Sequence, residues 1–452
     1  MRLYVKLFNK FTHTFLVLMT LSTSIQAERL TIDLNQNWKF SLTDPKSALT
    51  PGFDDSQWLN VTVPHDWAFN KGIREEGDQG ANGGYFDGGV GWYRRALHIK
   101  EDWLNKQVLL NFDGIYMNSE VWVNGQYLGK KAYGYISFRY DISPFLHTGE
   151  NTISIRVDNL KEPSARWYHP AGIYAPVALI VKDPQTSIQS NGVYVTSKQQ
   201  PDNSAVVNAK IAFTHSSNHT FHLESYIIDQ AGNQASYDKQ ALVPCPKGEC
   251  VVNAEFTIKN PKRWDVGMPH LYTLKTTITR ADKIIDTVDT HFGVRDINWD
   301  TETGFWINGK NTKLKGVSEH WEGGPVGGAW TKPLLRWKLM QFKEMGVNAI
   351  RTAHNPYPPM FYELCDELGI LVMDEIFDGW HKKAPFDYGQ QAFASDWQDD
   401  VTEWINRNRN HPSIILYSVG NETRGEKIGE QLVNLVNALD PTRPVTSVHI
   451  FS

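Results

Sequence analysis

The sequence is poor in the features that would point to several familiar roles. It has three cysteines in 452 residues, too few for a disulfide-built scaffold, and no cysteine–histidine spacing of the zinc-binding kind. Net charge is only −5, and no basic block interleaves with aromatic residues. A nucleic-acid partner is therefore not expected. Beyond the N-terminus no apolar run is long enough to cross a bilayer, and the two all-β stretches described below share no repeat period. Cys245 and Cys250, in "PCPKGEC", are near enough to close a small loop disulfide in an oxidising compartment. Cys365, in "MFYELCDELGI", falls on the buried face of a helical pattern and reads as a core thiol.

What is present begins with an export signal. Arg2, Lys6 and Lys10 precede "TFLVLMTLSTSIQA", an apolar core that gives way to small and polar residues ending at Ala27. Residues 1–27 are read as a signal peptide. The expected location is the periplasm or the exterior, with no membrane attachment once the signal is removed. Sixteen tryptophans and eighteen tyrosines follow; such rings fill large β-domains and also stack on sugars.

Residues 28–184 alternate apolar and polar residues in short segments such as "QVLLNF" and "NTISIRVDN", punctuated by Asn124-Gly125 and Gly149-Glu150-Asn151. That pattern predicts an antiparallel sandwich. Residues 185–296 form a second all-β stretch of immunoglobulin-like length. From 297 onward the grammar changes to alternating βα units with nearly wholly apolar strands, which means a parallel sheet covered on both faces. Each of the first four strands ends in polar residues: Glu319-His320, Arg351 with His354 and Asn355, Asp374-Glu375, and Asn421-Glu422. That is the layout of a TIM-barrel active face. Glu422 by itself fits a helix cap and dipole position. Four converging polar strand ends favour a general acid/base instead. Glycoside hydrolysis then needs a second carboxylate, about 5–5.5 Å away for retention of configuration.

The chain resembles glycoside hydrolase family 2, which holds β-galactosidases, β-glucuronidases and β-mannosidases. The resemblance is carried in order by "VPHDW", "VGWYRR", "FDGIYMNSEVWVNGQYLG", "AGIYAPV", "HFGVRDI", "KLKGVSEH", "GVNAIRTAHNPYP", "CDELGILVMDEIFDGW" and "RNHPSIILYSVGNE". It implies a jelly-roll sugar-binding-like domain, an immunoglobulin-like β-sandwich and a (β/α)8 barrel. It assigns Glu422 as proton donor, with Asn421 contacting the sugar 2-hydroxyl and His320 and His354 lining the pocket. Arg351 would hold the catalytic carboxylate or make a structural ion pair with Asp374. Asp374 and Glu375 resemble an acid pair of which one supports the site. Asp378 and Trp380, in "FDGW", would form a wall of the sugar site or pack beneath the following loop. Asn355 joins them on the substrate-binding side. No cofactor is firmly implied. A structural calcium, magnesium or sodium ion would suit some relatives, without a firm ligand set here. The expected partner is carbohydrate, and a homo-oligomer is left open.

Two departures stand out. Galactosidases and glucuronidases of the family often carry Asp six residues before the glycine of "AGI", where this chain has Arg166. Arginine favours a carboxylate or sulfate on the substrate; a surface or inter-domain salt bridge is the structural alternative. Secondly, only five barrel strands are countable, and the family's nucleophile glutamate lies on a later one. The expectation is thus the first part of an exported retaining exo-β-glycosidase, most like a β-galactosidase, with an incomplete barrel. A non-catalytic carbohydrate-binding protein is the alternative.

Overall fold

The computed structural model describes residues 29–161, 166–216, 219–242, 250–380, 393–423 and 426–447. The expected signal segment and Cys245 lie outside these residues. Cys250 is disulfide-bonded, and Cys365 is a free, buried thiol.

The first domain is a two-sheet antiparallel sandwich with sheets of six and four strands. Strict alternation builds it. Ile153, Ile155 and Val157 of Gly149–Asp158 face Val108, Leu110 and Phe112 of Gln107–Phe112 across a fully buried core. The second domain is a smaller sandwich of three and four strands. In Ser204–His215 every second residue from Ala205 to Phe213 is buried, which is the period-2 pattern of a half-exposed strand.

A three-stranded antiparallel sheet (Ile297–Asp300, Gly304–Ile307, Lys310–Asn311) then leads into the α/β domain. There the strands β1 (Gly316–Glu319), β2 (Ala349–Thr352), β3 (Leu371–Glu375), β4 (Ile414–Ser418) and β5 (Val445–Thr446) pair in parallel and in sequence order. Between them run α1 (Lys332–Glu344), α2 (Pro359–Leu368), α3 (Phe393–Asn408) and α4 (Glu426–Leu439). Pro359 suits the first turn of α2 because that turn has no use for its missing N–H. Gly369 ends the helix in the left-handed region at φ 68°. The polar residues Glu319, Arg351, Asp374 and Glu375 close the C-terminal ends of β1, β2 and β3 while still in the ladder, whereas Asn421 and Glu422 lie just beyond β4.

The first sandwich is welded to this domain. Its Tyr116, Tyr133, Tyr135 and Tyr174 share one buried core with Trp321, Tyr357 and Phe377 of the α/β domain. Burying each such ring contributes about 1.5–3 kcal/mol. Tyr133 also donates its hydroxyl to the Ile376 carbonyl just beyond β3. On α3, Glu403 accepts from Arg139 of the first sandwich at 2.6 and 3.2 Å and from Asn191 of the second at 2.9 Å.

Candidate active site

The floor of the mouth is set by strand register. Arg351 on β2 pairs with Met373 on β3, and Glu375 pairs with Ser418 on β4. Period-2 alternation therefore puts Arg351, Glu375 and Ser418 on one face and Asp374 on the other. Glu375 is fully buried. It receives Arg351 through Nη2 at 2.9 and 3.1 Å and Nε at 3.3 Å, together with His354 Nδ1 and the Ser418 hydroxyl. Asp374 accepts from Tyr362 at 2.6 Å, Trp404 at 2.7 Å and Asn408 at 2.8 Å. Burial pushes its pKa up, against the pull of those donors and of Arg407. The Arg351–Asp374 ion pair anticipated from sequence is not formed; Arg351 pairs with Glu375. Asp374 is fastened between the sheet and its helices instead of lining the mouth.

Above this floor sits Asn421, 7 % exposed. Its Oδ1 accepts from Arg351 at 2.9 Å and its Nδ2 donates to Asp378 at 3.0 Å, so Asp378 acts through Asn421. The next residue, Glu422, has a left-handed backbone (φ 50°), a conformation that costs a non-glycine residue about 1–2 kcal/mol. Its carboxylate is 49 % exposed and ion-pairs with Arg166 of the first sandwich, itself 50 % exposed. The inter-domain salt bridge allowed for Arg166 is thus made, with the expected proton donor as its partner.

His320 donates Nδ1–H to the Ala353 carbonyl at 2.7 Å, which leaves Nε2 as an acceptor in the neutral ring. Burial and the neighbouring His354 lower its pKa. Trp167 stacks on His320 at 4.3 Å and meets His354 edge-on at 5.2 Å. Asn355 is buried and donates to the Pro356 carbonyl at 3.2 Å. Trp380 does not form an aromatic wall. It is 2 % exposed, donates to the Val419 carbonyl at 2.9 Å and supports Gly420 from beneath; a Cβ there would lie 2.8 Å from its Nε1.

Sequence reasoning missed Trp167 and the anchor that holds its segment. Asp66, fully buried, accepts from the Tyr168 hydroxyl, from Ala171 N at 3.2 Å and from Gly328 N of the first βα loop at 2.7 Å. It also caps the short helix Trp67–Lys71. Burial outweighs the pull of those donors and raises its pKa to about 6. His169 bonds to Tyr135 at 2.6 Å and stacks on Tyr116; burial drops its pKa to about 3. The signals were in view: Trp167 adjoins Arg166 in "SARWYHPAGI", and Asp66 precedes a helical start in "VPHDW". Among the described residues no group of three or more His, Cys, Asp or Glu side chains is arranged to hold a metal ion.

The mouth therefore offers a half-exposed carboxylate for proton exchange. Around it lie an amide, a neutral imidazole acceptor, an indole face and an exposed guanidinium. Comparison with known proteins places the chain by family and domain. Residues 32–184 match the sugar-binding domain of the glycosyl hydrolases family 2, residues 186–295 match a second model of that family, and residues 300–450 match its TIM barrel domain. A Formosa agariphila protein with the provisional name beta-glucuronidase is 51% identical over 96% of this chain and 41% of its own length. The beta-galactosidase BoGH2A of Bacteroides ovatus is 36% identical over 94% of this chain and 55% of its own. The crystal structure of a beta-glycosidase from Bacteroides vulgatus superposes with a TM-score of 0.88 at 40% identity, covering 92% of this chain and 54% of that one. The chain thus spans roughly half the length of the relatives it matches.

Proposed function

Because the chain belongs to glycosyl hydrolase family 2, we propose that it carries the proton-donating half of a retaining β-glycosidase active site. Glu422 protonates the departing glycosidic oxygen, then deprotonates the water that releases the sugar. The nucleophile belongs to a barrel strand beyond the five described. Asn421, His320 and Trp167 hold the terminal sugar, with Arg351 and Glu375 bracing Asn421 from below. The observation that carries this reading is a half-exposed carboxylate at a strained strand end. It stands beside an amide whose orientation is locked from both sides.

The substrate is read as a terminal β-linked sugar bearing an anionic group, a uronate foremost. The exposed guanidinium of Arg166 and the name of the 51% identical relative support that choice. A neutral β-galactoside is the second reading, supported by the name of the Bacteroides ovatus relative. Arg2, Lys6, Lys10 and the apolar run to Ala27 support export, with carbohydrate as the partner.

In the full-length protein Glu422→Gln should lower turnover of glycosides with poor leaving groups by two or more orders of magnitude, roughly the worth of general acid catalysis. Activated aryl glycosides should lose far less in the glycosylation step. Equal loss on both, or no loss, removes Glu422 from the acid role.

A further inference from the structure

The ion pair between Arg166 and Glu422 raises a chemical difficulty. A proton donor must hold its proton when substrate arrives, and a guanidinium against it favours the ionised form. Both side chains are about half exposed. Trp167, Tyr168 and His169, next to Arg166, are fixed by the His320 stack, Asp66 and Tyr135 respectively. The backbone of Arg166 is thus held at the mouth by its neighbours, with its side chain half exposed.

The other charges of the mouth sharpen the point. Arg351 is committed to Glu375 and Asn421, and Asp378 to Asn421. Among the described residues of the mouth, Glu375, Asp378 and Glu422 are acidic, against Arg351 and Arg166. An anionic sugar entering this field meets more negative than positive groups. Among the described residues of the mouth, Arg166 is the half-exposed cation placed to receive it.

We propose that Arg166 reads substrate charge by ion exchange. In the resting protein its guanidinium holds the Glu422 carboxylate. A carboxylate or sulfate on the incoming sugar takes over that guanidinium, and the displaced Glu422 is protonated by hydronium or buffer acid from the solvent and faces the glycosidic oxygen as the acid. One cation then serves recognition and arming in turn, and a neutral sugar has to break the pair without replacing it. This inference rests on Glu422 being the proton donor.

The test uses the full-length protein with an aryl β-glucuronide and an aryl β-galactoside sharing one leaving group. In Arg166→Gln, kcat/KM for the glucuronide should fall on the order of 10- to 100-fold, the usual worth of a charge-assisted bidentate contact. Turnover of the galactoside should rise about two- to five-fold, as expected on releasing a solvent-exposed ion pair. Arg166→Lys, which keeps the charge without the fork, should fall between wild type and Gln. A glucuronide-to-galactoside ratio unchanged within about two-fold, or equal losses on both glycosides, overturns the proposal; equal losses would make Arg166 a structural strut. Absence of wild-type activity on both glycosides overturns it too. Glu422→Gln separates the two levels. If it lacks the leaving-group signature, the acid assignment fails and takes ion exchange with it. If the signature is present while the Arg166 variants keep the wild-type ratio, ion exchange alone fails.

Discussion

Replacing Glu375 by Gln changes one atom and one charge, and the structure says what that charge holds. Glu375 is completely buried and receives a forked Arg351, His354 and Ser418. Removing one partner of a buried ion pair costs about 3–5 kcal/mol, because the other charge stays behind without compensation. The Arg351 side chain is 24% exposed, so water offsets part of that cost, and Gln retains one acceptor oxygen. A loss of about 2–3 kcal/mol follows. For a domain of 150–250 residues that is a drop of roughly 4–12 °C in midpoint. Thermal unfolding followed by tryptophan fluorescence reads it directly, since Trp404 and Trp321 lie in the core of that domain. Arg351→Met, Glu375→Met and their double variant form a cycle. Removing both charges together should recover most of the loss, with a coupling energy of about 1–3 kcal/mol. A Glu375→Gln midpoint within about 1 °C of wild type would refute the reasoning. So would a double variant as unstable as the two single losses added together.

Two further outcomes are expected besides those for Glu422 and Arg166. Gly328→Ala puts a Cβ 2.3 Å from the Pro170 ring, so it should prise the first βα loop from the Arg166–His169 segment. The measurable result is a midpoint lowered by several degrees, roughly the effect of overpacking a filled core. Asp66, with its pKa raised to about 6 from 3.8, binds its proton more tightly folded than unfolded. Its contribution is full below about pH 4 and is lost as pH rises through 6. Asp66→Asn lacks this dependence, so wild type should lose on the order of 2–3 kcal/mol relative to the variant between pH 4 and pH 7. Parallel stability curves for the two proteins would contradict the assignment.

The domain order and the strand-end cluster were legible because each rests on local chemistry. Alternation marks the sandwiches, short apolar runs ending in polar residues mark β2, β3 and β4, and Gly369 marks a helix end. Family resemblance then singled out Asn421 and Glu422. The choice between Asp374 and Glu375 as partner of Arg351 was not legible, since adjacent residues on a strand look alike until register is known. Once Arg351 is opposite Met373, alternation decides it. The motif left Trp380 open between a wall of the sugar site and a ring packed beneath the following loop, and packing decides for the buried ring. Trp167 and Asp66 act across a domain interface, where the contacting residues are separated by well over a hundred positions, and spacing carries no information at that distance.

Asn421 has one more consequence. A guanidinium can only donate, so the Asn421 oxygen must turn toward Arg351 and its nitrogen toward the Asp378 side. The amide is thereby polarised in one sense by two opposite charges, and it cannot rotate end for end without placing donor against donor and acceptor against acceptor. A ring substituent approaching its nitrogen edge meets hydrogen, whatever the substrate. Hydroxyl oxygens are welcome there and an ammonium group is not. On the proposed assignment of Asn421 to the sugar 2-position, a 2-ammonium sugar meets a donor where it needs an acceptor.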